Sequence, residues 1–235
     1  MKVDVMDLGI TDDGVHLREF AVVIAAQNHN PTIVNPDFLK LNGIAEADWQ
    51  LAQAPVCVEP LAQVQYTNGI SVLAEPQKIV FAQAGETLSQ ENIIIVKMAR
   101  QYIEAVPHVD YTGIGINPKG DVGFRTEEGP RRYIMERLIA RGPWQEYGEA
   151  PVKGSATFIF QLGKARVFLA VQEATRRNPK GTGAPVIVFS GNFHYDLAAV
   201  PRNGMLETLT GVLDDWRTCW TEYTNLVNSV FCKEL

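Results

Sequence analysis

The order of apolar runs and turn signals in this chain recurs, and that recurrence constrains the fold more than any single motif does. Asn30-Pro31 and Asn117-Pro118 lie 87 residues apart, and each closes an apolar run of strand length. Trp49-Gln50 with Ala54-Pro55-Val56 is answered 95 to 96 residues on by Trp144-Gln145 with Ala150-Pro151-Val152. The turn glycines Gly69 and Gly163 are 94 apart. Landmarks whose offsets stay between 87 and 96 predict a tandem duplication, with copies over 18–107 and 108–235 and an N-terminal arm over 1–17.

Each copy reads as strand, helix, three or four strands, helix. In the first, the unbroken apolar run over 20–26 (FAVVIAA) suits a strand covered on both faces. Asn35 as N-cap with Pro36 at the first helical position opens a short helix over 37–41, and Gly43 stops it. A short edge strand is expected over 56–58. Asn68-Gly69 between two alternating segments signals a hairpin; a two-residue loop would pair Tyr66 with Ser71 and Val64 with Leu73. A third strand over 78–83 follows. Thr87 and Gln90 have capping-box spacing, and Ile95, Met98, Ala99, Tyr102 and Val106 form an amphipathic stripe ending at Pro107. In the second copy, a strand over 109–117 precedes a helix capped by Thr126, with Tyr133, Ile134, Leu138 and Ile139 on one face. A hairpin over 156–172 turns at Gly163-Lys164, and a long loop leads to a strand over 185–193. A final helix covers about 203–231.

The fold class is therefore α+β: a duplicated β-α-β(3-4)-α unit, with antiparallel sheets carrying helices on one face. Two such units hide one edge each by joining edge to edge. This order, across most of the chain, resembles the saddle of the TATA-box-binding proteins and the wider helix-grip group. The resemblance implies one compact pseudo-twofold unit. It is a likeness of topology, with no functional motif of either family, and fold alone does not carry function.

Charge argues against a DNA saddle. The net charge is −6, the wrong sign for gripping phosphates. It is also uneven, with −8 over 1–117 and +2 over 118–235, an asymmetry able to orient a partner. Cys57, Cys219 and Cys232 make an odd count with no CxxC pair, the pattern of reduced thiols in a reducing compartment. The first twenty residues hold four aspartates and no apolar core of a signal peptide, and no apolar run approaches the ~18 residues that span a bilayer. A soluble cytoplasmic protein is expected.

The last helix carries the strongest pattern. Leu206, Leu209, Leu213, Trp216, Trp220, Tyr223, Val227 and Val230 alternate spacings of three and four, an unbroken heptad stripe. At 1.5 Å per residue, about 28 residues reach ~42 Å, longer than one small sheet is wide. Two placements follow. The helix lies across the joint sheet of both halves, or its end protrudes and binds a protein partner or another copy through Leu213, Trp216, Trp220, Tyr223, Val227 and Phe231.

Basic residues supply a second candidate, an anion site built from Arg176, Arg177 and Lys180 on the loop over 175–183 and from Arg131 and Arg132 on the preceding helix. On that helix Arg132 has Glu128 and Glu136 at i±4. Signs of catalysis are weak. Gly113 and Gly115 fail the spacing of a dinucleotide loop, Ser190-Gly191 lacks a nucleophile elbow, and the four histidines have no metal-ligand spacing. His194 ends the last strand, and His29 and His108 flank the first strand of each copy; a composite acid–base site with Asp110 or Asp196 can be drawn, but nothing specifies it. No catalytic residue, metal or cofactor is assigned. The leading expectation is a non-catalytic binding or assembly protein using the aromatic stripe and a sheet face. The alternatives are an apolar-ligand cavity between a curved sheet and the C-terminal helix, and nucleic-acid or acidic-partner binding through the basic loop and the Arg-rich helix over 127–141.

Overall fold

The computed structural model describes residues 9–11, 14–177 and 183–233. They form one nine-stranded sheet in which every neighbouring pair is antiparallel. Its strands are β1 (His16–Gln27), β2 (Val56–Val58), β3 (Leu61–Gln65), β4 (Ile70–Glu75), β5 (Lys78–Ala84), β6 (Asp110–Gly123), β7 (Ser155–Leu162), β8 (Ala165–Arg177) and β9 (Gly183–Asp196). Their order across the sheet is 2-3-4-5-1-6-9-8-7, so strands from the two parts of the chain meet only where β1 pairs with β6.

The helices are α1 (Pro36–Leu41), α2 (Ile95–Ala105), α3 (Gly129–Tyr133), α4 (Met205–Asp214) and α5 (Trp216–Asn225). Wider helical turns extend α3 over Ile134–Leu138 and α5 over Leu226–Phe231. Among the described residues, no helix is long and apolar enough to cross a membrane.

Alternation along β1 fixes which face the helices cover. Phe20, Val22, Ile24 and Ala26 are buried on one side, while Glu19, Val23 and Ala25 lie on the other and keep partial exposure. The stripe Ile95, Met98, Ala99, Tyr102 of α2 is buried where the helix packs over β5 and β1, with the Tyr102 ring 5.6 Å from that of Phe81 on β5. Asn35 caps α1 by accepting from the Phe38 N–H at 2.9 Å, with Pro36 in its first turn.

Several boundaries differ from the sequence reading, each for a local reason. The Asn68-Gly69 hairpin is one residue out of the expected register, with Val64 opposite Val72 and Gln65 opposite Ser71. The loop has three residues, closed by Tyr66 N–H to Ile70 O, with Gly69 at φ +84°, the geometry of a turn followed by a left-handed glycine. This register places Val64, Ile70, Val72 and Ala74 together on the buried face. Pro118 does not end β6, which runs on to Gly123. Pairing with β9 lapses between Ile116–Phe193 and Lys119–Ser190, where proline has no N–H to give. Opposite it, Gly191 admits the Tyr223 ring, which would lie 3.0 Å from an added Cβ.

Thr87 does not cap α2, which begins eight residues later. The Gln83 side chain holds its approach, donating to Asn92 O at 2.8 Å and accepting from the Ile94 N–H at 3.0 Å. Thr126 does not cap α3 with its side chain; its carbonyl accepts from the Gly129 N–H. The long loop expected before the last strand is largely strand, since β8 extends to Arg177 and β9 starts at Gly183. The final helix is broken at Asp215 into α4 and α5.

Of the two placements expected for the C-terminal helix, it takes the one across the sheet. Trp216 packs edge-on and Trp220 tilted against Phe20 of β1, with ring centroids 5.4 and 5.6 Å away. The Tyr223 hydroxyl donates to Phe189 O on β9 at 2.8 Å, and Phe231 packs on Phe158 of β7 at 5.1 Å. Leu213, Trp216, Tyr223 and Val227, expected as partner contacts, are thus buried against the sheet, while Trp220 and Phe231 are half-buried. The Arg100–Asp214 ion pair ties α4 to α2.

His29 is a core residue. Its Nδ1 donates to Glu75 O at 3.1 Å, which leaves Nε2 to accept from the Tyr102 hydroxyl. Burial holds its pKa below the ordinary imidazole value, so the folded state favours the neutral ring. Stability contributed this way is present above the unfolded value and is lost as pH falls below ~6.5. The urea midpoint should drop between about pH 7 and 5, and the drop should be shallower in His29→Gln. Trp216→Ala should cost about 3–5 kcal/mol in urea unfolding and leave the mass in solution unchanged.

Candidate functional site

Where α4 and α5 lean toward β1 and β6, they leave the far ends of β8 and β9 uncovered. The result is a groove of ≈ 970 Å3. One wall is the β7–β8 turn, from Leu162 through Gly163 and Lys164 to Ala165. The floor is the end of β9 and the residues after it, Phe193, Tyr195, Leu197 and Val200. The other wall is the flank of the stripe, carrying Thr208, Gly211, Val212, Thr218 and Cys219. Phe193, Leu197, Ala165 and Cys219 are buried, which gives the groove an apolar base.

Carboxylates stand around this base. Asp196, Glu207, Asp215 and Glu222 line the groove, against one ammonium, Lys164. Two of them are held by local hydrogen bonds. Asp196 accepts from the Ala198 N–H at 2.9 Å. Asp215, at the break between α4 and α5, accepts from the Thr218 hydroxyl at 2.5 Å. A cleft of one sign concentrates ligands of the other. Gly211 sits on the exposed side of α4, and an added Cβ there would meet nothing within 4 Å.

The Tyr195 hydroxyl and the Cys219 sulfur lie 3.3 Å apart across the groove floor. Burial pushes both groups above their ordinary pKa, so at neutral pH each keeps its proton. A protonated buried thiol is a poor nucleophile. The pair braces α5 on β9.

The residues expected to bind anions are not brought together. Arg176 lies on β8 and reaches Asp121 of β6 at 2.7 Å, where Arg18 also bonds the same carboxylate at 3.2 Å. Asp121 is 5% exposed, so these two guanidiniums neutralise a buried charge. Arg131 lines a smaller pocket of ≈ 440 Å3 with Glu127, Glu128, Lys153 and Glu173, and Arg132 pairs with Glu136 at 3.5 Å. Glu173 and Thr175 face that pocket, whereas Arg176, one residue on, points to the other side of the sheet. Arg177 is exposed at the end of β8, and Lys180 lies outside the described residues.

Of the residues drawn as an acid–base site, His29 is enclosed in the core and Asp110 pairs with Arg202, while His194 and Asp196 sit two residues apart on β9, opposite Gly115 and Gly113 of β6. The space over those glycines is taken by atoms of β9 together with the side chains of Ala25, Val23 and Asn117. Among the described residues, no group of three His, Cys, Asp or Glu could hold a metal.

Val212 and Cys219 widen one flank of the stripe in the sequence, but Gly211 and the carboxylates Glu207, Asp215 and Glu222 beside them were not singled out. Gly211 was the available signal, because a glycine inside a helix costs about 1 kcal/mol against alanine.

The thiols offer a direct check of this geometry. Cys57 is exposed, Cys219 is buried and raised, and Cys232 is pushed up to about 11 by burial. In native protein at pH 8, Cys57 should label rapidly with a thiol reagent, and the other two only as the chain unfolds. Rapid labelling of Cys219 would contradict the closed floor. No family model and no curated protein matches this chain.

Proposed function

We propose that this is a non-catalytic binding protein whose site is the groove between the β7–β8 turn, the end of β9 and the α4–α5 flank. Its ligand is a small amphipathic cation, with the apolar body resting on Phe193, Leu197 and Val212 and a basic group among Asp196, Glu207, Asp215 and Glu222. The observation that carries this reading is the union of an apolar floor and a carboxylate rim in one groove of ≈ 970 Å3, a size that encloses most of a drug-sized molecule. The protonated Tyr195–Cys219 contact favours a bracing role over a chemical one.

Binding of a protein partner or a second copy through Leu213, Trp216, Tyr223 and Val227 would require α5 to leave the sheet and expose its aromatic face, at a cost of several kcal/mol. The groove needs no such change. Nucleic-acid or acidic-partner binding has less support, since Arg176 is committed to Asp121. We also infer a tandem duplication. Each half starts on a central strand, β1 or β6, crosses to an edge strand, β2 or β7, and steps back inward until its last strand, β5 or β9, pairs with the first.

The test uses dansylcadaverine, an aromatic fluorophore carrying an alkyl ammonium group, and uncharged dansylamide. Saturable fluorescence enhancement is expected with the amine, and binding at least fivefold weaker with the amide. Gly211→Leu should fill the groove and lower amine affinity tenfold or more, while the helix gains about 0.5–1 kcal/mol from losing its glycine. No saturable binding, or equal binding by Gly211→Leu, would overturn the reading.

A further inference from the structure

The two edges of the sheet are not alike. At one end, β2 has three residues and is bracketed by Pro55 and Pro60, which blocks further pairing. At the other end, β7 offers eight residues, SATFIFQL, with no charge and no proline. Its inner side pairs with β8 in unbroken register from Ser155–Gln172 to Leu162–Ala165. Among the described residues, no strand pairs with its outer side. A regular, uncharged edge of this length presents a row of free N–H and C=O groups to another strand.

We propose that β7 pairs with β7 of a second copy of this chain, antiparallel about a twofold axis at Ile159, to give a continuous eighteen-stranded sheet. The occupant is argued from the strand's self-complementarity. Opposite residues in an antiparallel pair share a face, so a register centred on Ile159 sets Ile159 against its own copy on the side away from the helices. Ile159 is 55% exposed in the single chain. On the helix side the same register sets Phe158 against Phe160 of the other copy, a pairing of two half-buried aromatics that sheets favour. Thr157 meets Gln161, and Ala156 meets Leu162. Nothing in the strand puts like charges opposite each other, although the chain as a whole carries −6. Beside it, Val230 is 68% exposed on the helical turn that docks on β7 through the Phe231–Phe158 contact, and it extends the apolar border of the edge.

The axis at Ile159 makes the inference testable by charge exchange. Sedimentation equilibrium or light scattering of the full chain should give twice 26.0 kDa. Ile159→Lys and Ile159→Glu each place like charges face to face at the axis and should each give the single-chain mass, with circular dichroism unchanged and a thermal midpoint that no longer rises with protein concentration. Mixed in equal amounts, the two variants should recover the double mass, because only a heterologous pair sets Lys against Glu. A wild-type monomer across the concentration series, a dimer that survives in either variant alone, or a mixture that stays monomeric would each overturn the proposal.

Discussion

Everything in this molecule hangs on the pairing of β1 with β6. It is the one ladder that joins the first five strands to the last four, and both strands are long, with eleven residues of β1 in register with β6. The apolar side of this seam is where the C-terminal helix settles. Phe20 stands on β1 under Trp216 and Trp220, and Gly191 opens the neighbouring strand to Tyr223. The seam thus sets the line along which the last helix crosses the sheet. The groove is what that line leaves uncovered.

On the other face, the seam carries a buried charge. Asp121 of β6 is held between Arg18 of β1 and Arg176 of β8. Removing one partner of such a group leaves an uncompensated charge and is strongly destabilising. The triad therefore ties three strands by electrostatics on the side where no helix packs. Basic residues that look available for a ligand in the sequence are here part of the framework.

Much of this architecture was legible in the residues, because the signals were local. Asn35-Pro36 opened α1, the 3–4 spacing of α2 identified its buried face, and Gly163-Lys164 turned the second hairpin. What was not legible depends on partners distant in sequence. Periodicity shows that residues 206–230 have an apolar face, but it does not say whether a sheet or another molecule covers it. A single-residue change in loop length shifts the register at Asn68-Gly69, and composition does not distinguish two residues from three. Pro118 reads as a strand end unless the neighbouring strand is known to lapse opposite it. The groove was the least legible, because its walls come from a turn, a strand end and a helix flank, each ordinary on its own.

The seam also has a temporal consequence. The five strands 2-3-4-5-1 and α2 come from one uninterrupted stretch of chain, so they can assemble during synthesis before β6 has left the ribosome. Until β6 arrives, the outer side of β1 is an unpaired edge bordered by Phe20, Val22 and Ile24, in the middle of what will become the sheet. The Trp216 and Trp220 cover comes later still, from the last tenth of the chain. For the interval in which the first half is finished and the second is not, the strand that will become the centre of the mature sheet is an open edge.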